Sequence, residues 1–378
     1  MFISNILKHY KMATSRNQND QNRHIPTESI GSIPRPRELQ EAMVAFSRGD
    51  LSWEKLDQHF DHVVKDTIKR LEATGSPVLN DGEQTKSSFV TYPLDGLDNL
   101  AGDGVSIPFE DGHSRQLPRL TGGPFRYSAY AGGYLPRARK FASRPLKQAV
   151  ISASAMSLLY PQDGLPDYSK AQFINDLVQQ AVADIRSCFD NGAHHVQVDF
   201  TEARLAIKLD PSKGLLKQFI NLNNQVLSHF TEQERQRIGF HTCPGGDHDS
   251  THSADVDYAE LIQLFFTLNS GNFYMQMASE ADPVKSLKLI GDHIRPDQRV
   301  YVGVVDVINE EVETPEVVYE RIMTAAEYIP VNQLGTTDDC GFSPFSDDIV
   351  TSRDTAFAKI AARVEGTRMA SEKLLASS

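Results

Sequence analysis

Cysteine is scarce in this 378-residue chain: there are three, widely spaced, too few and too scattered for a disulfide framework. Such thiols suit metal or catalytic use in a reducing compartment. No apolar run is long enough to span a bilayer. Residues 1–11 have neither a long apolar core nor the small-residue cleavage site of a secretory leader. A cytoplasmic location away from membranes is therefore expected. Basic charge is in deficit, with 38 Lys and Arg against 50 Asp and Glu, a formal net charge of −12. That balance argues against a nucleic-acid or anionic-membrane surface and leaves small molecules as the expected partners. No Gly-x-Gly-x-x-Gly follows a strand-like run, so dinucleotide binding has no support.

What is present is regular alternation. Residues 13–24 are polar and aperiodic, and residues 1–24 are expected to form a disordered arm. Residues 25–36 contain Gly31, Pro34 and Pro36 and read as a loop. Helical spacing follows over residues 37–75, with a break at Gly49-Asp50, and residues 77–80 read as a strand. Residues 84–146 are rich in Gly, Pro and Tyr and suit an excursion over one face of a barrel. Strand patterns then recur at 149–154, 195–200, 237–243, 272–277, 300–306 and 333–337. Helical patterns recur at 170–191, 213–234, 258–268, 282–293, 315–328 and 352–375. Such alternation implies a parallel sheet with right-handed crossovers. Seven recognisable strands, plus one hidden before Lys147, predict a (βα)8 barrel with an extended N-terminal segment and a long early excursion. Residues 25–378 are expected to make up this one domain. A doubly wound open sheet is the alternative.

Candidate chemistry lies at the predicted strand ends, where β/α barrels carry their active residues. In Ile238-Gly239-Phe240-His241-Thr242-Cys243 the strand period of two points His241 and Cys243 to the same side. An imidazole and a thiol together are half of a zinc site. Taken alone, the pair also fits a buried core cysteine beside a capping histidine. Cys340, at another strand end before Gly341, makes a metal centre the better reading. The remaining strand ends supply Glu83, Asp199, Gln276 and Asp306. Each also has a plain structural use, as a helix cap or a loop anchor.

These residues carry a resemblance. From about Thr27 onward the chain resembles the catalytic barrel of cobalamin-independent methionine synthase. The match rests on Ile30-Gly31-Ser32-Ile33-Pro34, Asp81-Gly82-Glu83, Val196-Gln197-Val198-Asp199, His241-Thr242-Cys243 and Asp339-Cys340-Gly341, in family order. The resemblance implies a zinc-dependent methyltransferase that converts homocysteine to methionine. His241, Cys243 and Cys340 match the family's Zn2+ ligands. Glu83 and Asp199 match the acids that hold the amino group of homocysteine, and the loop with Ile30 and Ser32 matches the one that contacts its carboxylate. Zinc would turn a thiol that is a few per cent ionised at neutral pH into a bound thiolate.

Three departures shape the expectation. Gln276 stands where the family has a glutamate ligand, with Glu280 or water as alternatives. Ile308 stands where the family has a histidine acid, leaving Asp306, His248 or His252 for that task. Full-length family enzymes have two barrels, whereas this chain has the length of one, so the methyl donor, a folate or another compound, stays open. Two further readings remain: alkyl transfer to another thiol such as coenzyme M, and a metal-binding barrel without catalysis.

Overall fold

The computed structural model describes residues 24–348 and 350–376. The expected N-terminal arm, apart from His24, lies outside them. Six strands form one sheet: β1 (Gln148–Ile151), β2 (Val196–Asp199), β3 (Ile238–Thr242), β4 (Asn272–Met275), β5 (Arg299–Val305) and β6 (Leu334–Asp338). They lie side by side in chain order, and every pairing is parallel. Nearly every strand residue is buried, as expected where both faces of a parallel sheet are covered.

Two further positions bring the run to eight. Thr27 pairs parallel with Thr336 of β6, and Leu79 pairs parallel with Leu146, just ahead of β1. The Ile33 N–H donates to the Gly82 carbonyl at 3.0 Å, joining these two segments. The architecture is the (βα)8 barrel read from the alternation, rather than an open sheet. Its hidden strand is the segment at Thr27, within a stretch that reads as loop. One bridged residue beside glycine and prolines leaves no period-two signal.

Nine helices of seven residues or more surround the strands among the described residues: α1 (Arg37–Ser47), α2 (Trp53–Ala73), α3 (Lys170–Asp190), α4 (Glu202–Leu209), α5 (Gly214–Leu227), α6 (Ala259–Phe265), α7 (Pro283–His293), α8 (Pro315–Ala326) and α9 (Arg353–Leu375). Gly49, with φ of +79°, separates α1 from α2 where the sequence predicts a break. Ser169 and Gln172 form a reciprocal capping box at the start of α3. The helix predicted over 213–234 is shorter than expected. It ends at Leu227, because Thr231 and Glu234 form a second capping box that starts a separate turn. Helix α4 has no counterpart among the predicted helices, being too short to show a period. No helix among the described residues is long and apolar enough to cross a membrane.

The excursion between Leu79 and β1 lies across the C-terminal ends of the strands. Its hairpin, Ser106–Pro108 with Ser114–Gln116, docks on the short hairpin that follows β3, Gly246–Asp247 with Ser250–Thr251. The Glu110 N–H donates to the Thr251 carbonyl at 2.9 Å. His113 Nε2 (3.0 Å) and the Arg115 guanidinium both reach the buried Asp247 carboxylate. A cavity of about 360 Å³ is left beneath, bounded by excursion, strand ends and loops.

Candidate active site

Strand geometry brings three soft donors to one point. His241 lies near the end of β3, Cys243 just beyond it, and Cys340 two residues past β6. All three are buried, and their donor atoms lie within 4.8 Å of one another. The two sulfurs are 3.2 Å apart, both in free thiols. That is far beyond the roughly 2.05 Å of a disulfide bond. The contact between the sulfurs splits their acidities. Cys340, accepting from Cys243, is held well below the usual thiol range, and the same contact together with burial pushes Cys243 up.

The imidazole decides what the cluster can hold. His241 Nδ1 lies 3.3 Å from the Tyr274 carbonyl oxygen. A carbonyl can only accept, so Nδ1 carries the proton and the Nε2 lone pair is free. Nε2 is buried and has no hydrogen-bond partner. Leaving such an atom unpaired costs about 1–3 kcal/mol, and a metal ion would remove that cost. Two thiols and a neutral imidazole are a donor set suited to zinc.

The other expected residues divide into two groups. Ile30, Ser32, Glu83 and Asp199 line the same cavity as His241 and Cys340. Gln197 donates to Asp199 Oδ1 at 2.7 Å and is itself oriented by Lys147, whose ammonium donates to Gln197 Oε1 at 2.8 Å. Burial pushes the Asp199 carboxyl up to about 6, with the charge of Glu83 adding to the shift. Glu83 is already paired, its Oε1 accepting from the buried Lys86 ammonium at 2.8 Å. Lys86 belongs to no pattern in the sequence and was missed. Ser32 Oγ accepts from the Ser343 N–H at 3.2 Å, tying its loop to the chain just after Cys340. Gly341 makes that approach possible, since a Cβ there would lie 2.1 Å from Ser32 Oγ.

Gln276, Asp306 and His248 are placed elsewhere. Gln276 Oε1 accepts from Arg204 at 2.8 Å and its amide donates to Ser279 at 2.9 Å. Arg204 also engages Glu280 at 3.0 Å. Arg204 therefore competes for both residues expected at the fourth ligand position. Neither Asp306 nor His248 lines the cavity. Asp306 Oδ1 caps the Ile308 N–H at 2.9 Å, and His248 lies against Arg115 at 3.1 Å. His252 does line the cavity, but burial holds its imidazole down at about 4, mostly unprotonated at neutral pH. Sequence reasoning also missed Glu202, at the start of α4, which lines the cavity and is buried.

A buried sulfur–imidazole cluster at the mouth of a β/α barrel, beside a cavity lined by carboxyl groups, defines a candidate metal-dependent enzyme acting on a small molecule. Comparison with known proteins gives the class. The family described as cobalamin-independent synthase, catalytic domain, matches residues 25–362, and the chain belongs to that family of methyltransferases. Among curated relatives, methionine synthase of Sulfurisphaera tokodaii is 23% identical over 352 residues, covering 93% of this chain and 94% of its own. Methionine synthase of Sulfolobus acidocaldarius is 24% identical over 357 residues, covering 93% of each. Among solved structures, a B12-independent methionine synthase from a Shewanella species, in complex with selenomethionine, superposes with a TM-score of 0.74. It is 19% identical and covers 93% of this chain and 99% of its own. At that identity the likeness speaks for the fold alone.

Proposed function

We propose that this protein methylates the thiol of homocysteine to give methionine, with zinc held by His241, Cys243 and Cys340. The observation that carries the reading is the unpartnered Nε2 of His241 facing two thiols at the edge of a cavity that also presents Asp199 and Glu83. When bound, zinc supplies the acidification that makes an incoming thiol a nucleophile.

The protein's own side chains do the rest. Asp199, fixed by Gln197, accepts hydrogen bonds from the substrate ammonium. Glu83, already neutralised by Lys86, adds a second acceptor on the same side. The loop from Ile30 to Ser32 takes the carboxylate end, steadied by the Ser32–Ser343 contact. The hairpin 106–116 forms part of the cavity wall through Ile107 and Phe109. The same carboxylates disfavour coenzyme M, whose sulfonate would meet two acids.

Calorimetry on the zinc-loaded protein tests this reading. Homocysteine binding, measured in buffers of different ionisation enthalpy, is expected to release about one proton per site and to need the metal. Binding without proton release, or equal release from metal-free protein, would reject thiolate activation.

A further inference from the structure

We infer that Lys147 is the positioning residue that makes the Asp199 pocket select a thiol bearing an ammonium group, and that it acts through the side-chain amide of Gln197. The inference deepens the homocysteine reading above and rests on it. It starts from a chain of two hydrogen bonds. The Lys147 ammonium donates to Gln197 Oε1 at 2.8 Å, and Gln197 Nε2 donates to Asp199 Oδ1 at 2.7 Å. Gln197 and Asp199 stand two apart on β2, so they share a face, and both line the cavity.

An amide has two unlike ends, and one of them must meet the carboxylate. An ammonium has donors and no acceptor. Lys147 therefore claims the oxygen of Gln197 and turns the NH2 toward Asp199. Turned the other way, the amide would set Oε1 against Asp199, an acceptor against an acceptor, and the carboxylate would have to swing off its place. Among the described residues the Gln197 side chain bonds only Lys147 and Asp199, so Lys147 decides its orientation.

Lys147 is itself held still. It is 2% exposed, and its ammonium lies 3.7 Å from Glu28 and 4.2 Å from the centre of the Tyr274 ring. Burial holds the ammonium down to about 8, with Glu28 opposing, so it is charged at neutral pH. Burying a charge is costly, and an apolar side chain of similar length would fill the space without that cost. The task that sets Lys147 apart is its contact with an amide at the cavity. With Oδ1 tied to Gln197, Asp199 keeps Oδ2 for the substrate ammonium. Glu83 is steadied separately, by Lys86 at 2.8 Å. Each acid thus has its own lysine, one in direct contact and one a glutamine away. A thiol without an amino group gives Oδ2 nothing to hold, and for it the orientation of Gln197 is immaterial.

Calorimetry on the zinc-loaded full chain compares homocysteine with 4-mercaptobutanoate, the same carbon chain without the amino group. Lys147→Met is expected to weaken homocysteine about fivefold, the worth of one hydrogen bond, and to leave 4-mercaptobutanoate within about twofold of wild type. Gln197→Leu should reproduce that selective loss, and the double variant should lose no more than either single one. A residue that merely supports the fold would weaken both thiols alike, and that result would overturn the inference. So would losses that add in the double variant, or a homocysteine affinity that Lys147→Met leaves unchanged. Gln197→Leu leaves the Lys147–Glu28 pair in place and decides the matter if Lys147→Met does not fold. Loss confined to homocysteine would then uphold the relay through the amide, and any other result would reject it. If wild type binds the two thiols equally, or binds neither, the homocysteine reading fails on its own. Nuclear magnetic resonance then decides Lys147. The glutamine side-chain amide signal that disappears in Gln197→Leu should exchange slowly with solvent in wild type and faster in Lys147→Met. Equal exchange in the two would reject the orienting role.

Discussion

Among the described residues the barrel carries two clusters of metal-binding side-chain types, one at each end, and they differ in whether their atoms are satisfied. At the C-terminal mouth are His241, Cys243 and Cys340. In the N-terminal half are Glu28, His194 and His195, equally close together. In the second cluster Glu28 is fully engaged. Its Oε1 accepts from His195 Nδ1 at 2.7 Å, its Oε2 from the Tyr274 hydroxyl at 2.7 Å, and Lys147 lies 3.7 Å away. In the first cluster the imidazole lone pair has no partner. Proximity of ligand types is therefore a poor guide by itself. The unpaired buried atom separates a place built for a visitor from one built to hold strands together.

Substitutions can break that comparison from either side. The largest effect is expected for Cys340→Ser: zinc affinity should fall by about a hundredfold or more, read by metal analysis after dialysis, with the fold retained. Full zinc occupancy in that variant would remove the mouth cluster's claim. Glu28→Gln should do the reverse, leaving zinc content alone but costing about 3 kcal/mol in urea unfolding at pH 7, as loss of one partner from a buried ion pair does. This cost depends on pH with a definite sign. Burial alone would push Glu28 up, but His195, Lys147 and Tyr274 together hold it far below the usual carboxylate range. A depressed carboxyl contributes stability above its unfolded value of about 4.3 and loses it as pH falls toward its folded value. The gap between wild type and variant should therefore begin to narrow as pH falls below about 4 and go on narrowing toward stronger acid; a gap that does not change with falling pH would refute the ion-pair account. The smallest effect is expected for Asp199→Asn. Homocysteine binding should weaken about tenfold, the loss of one charge-assisted hydrogen bond, with zinc untouched. Unchanged homocysteine affinity would take Asp199 out of the site.

The mouth was easier to read in the sequence than its surroundings, for physical reasons. A strand repeats every two residues, so His241 and Cys243 had to emerge together, and parallel alternation placed Cys340 at the same end of the barrel. Lys86, Arg204 and Glu202 reach the site from a loop and a short helix, where no period exists to mark them. The pairing of Arg204 with Gln276 and Glu280 is tertiary, and nothing local announces it. The strand at Thr27 was hidden for the same reason, its regularity being confined to one bridged residue.

That bridge has a consequence for how the protein comes into being. Thr27 is paired with Thr336, so the first staves of the barrel wait for the last. On the ribosome, a growing chain has made His241 and Cys243 long before it holds the segment that closes the ring and brings in Cys340. Closure across so long a loop is slow. The three-donor pocket exists only once that segment has joined the ring, so its donors cannot act together as a seed for the fold.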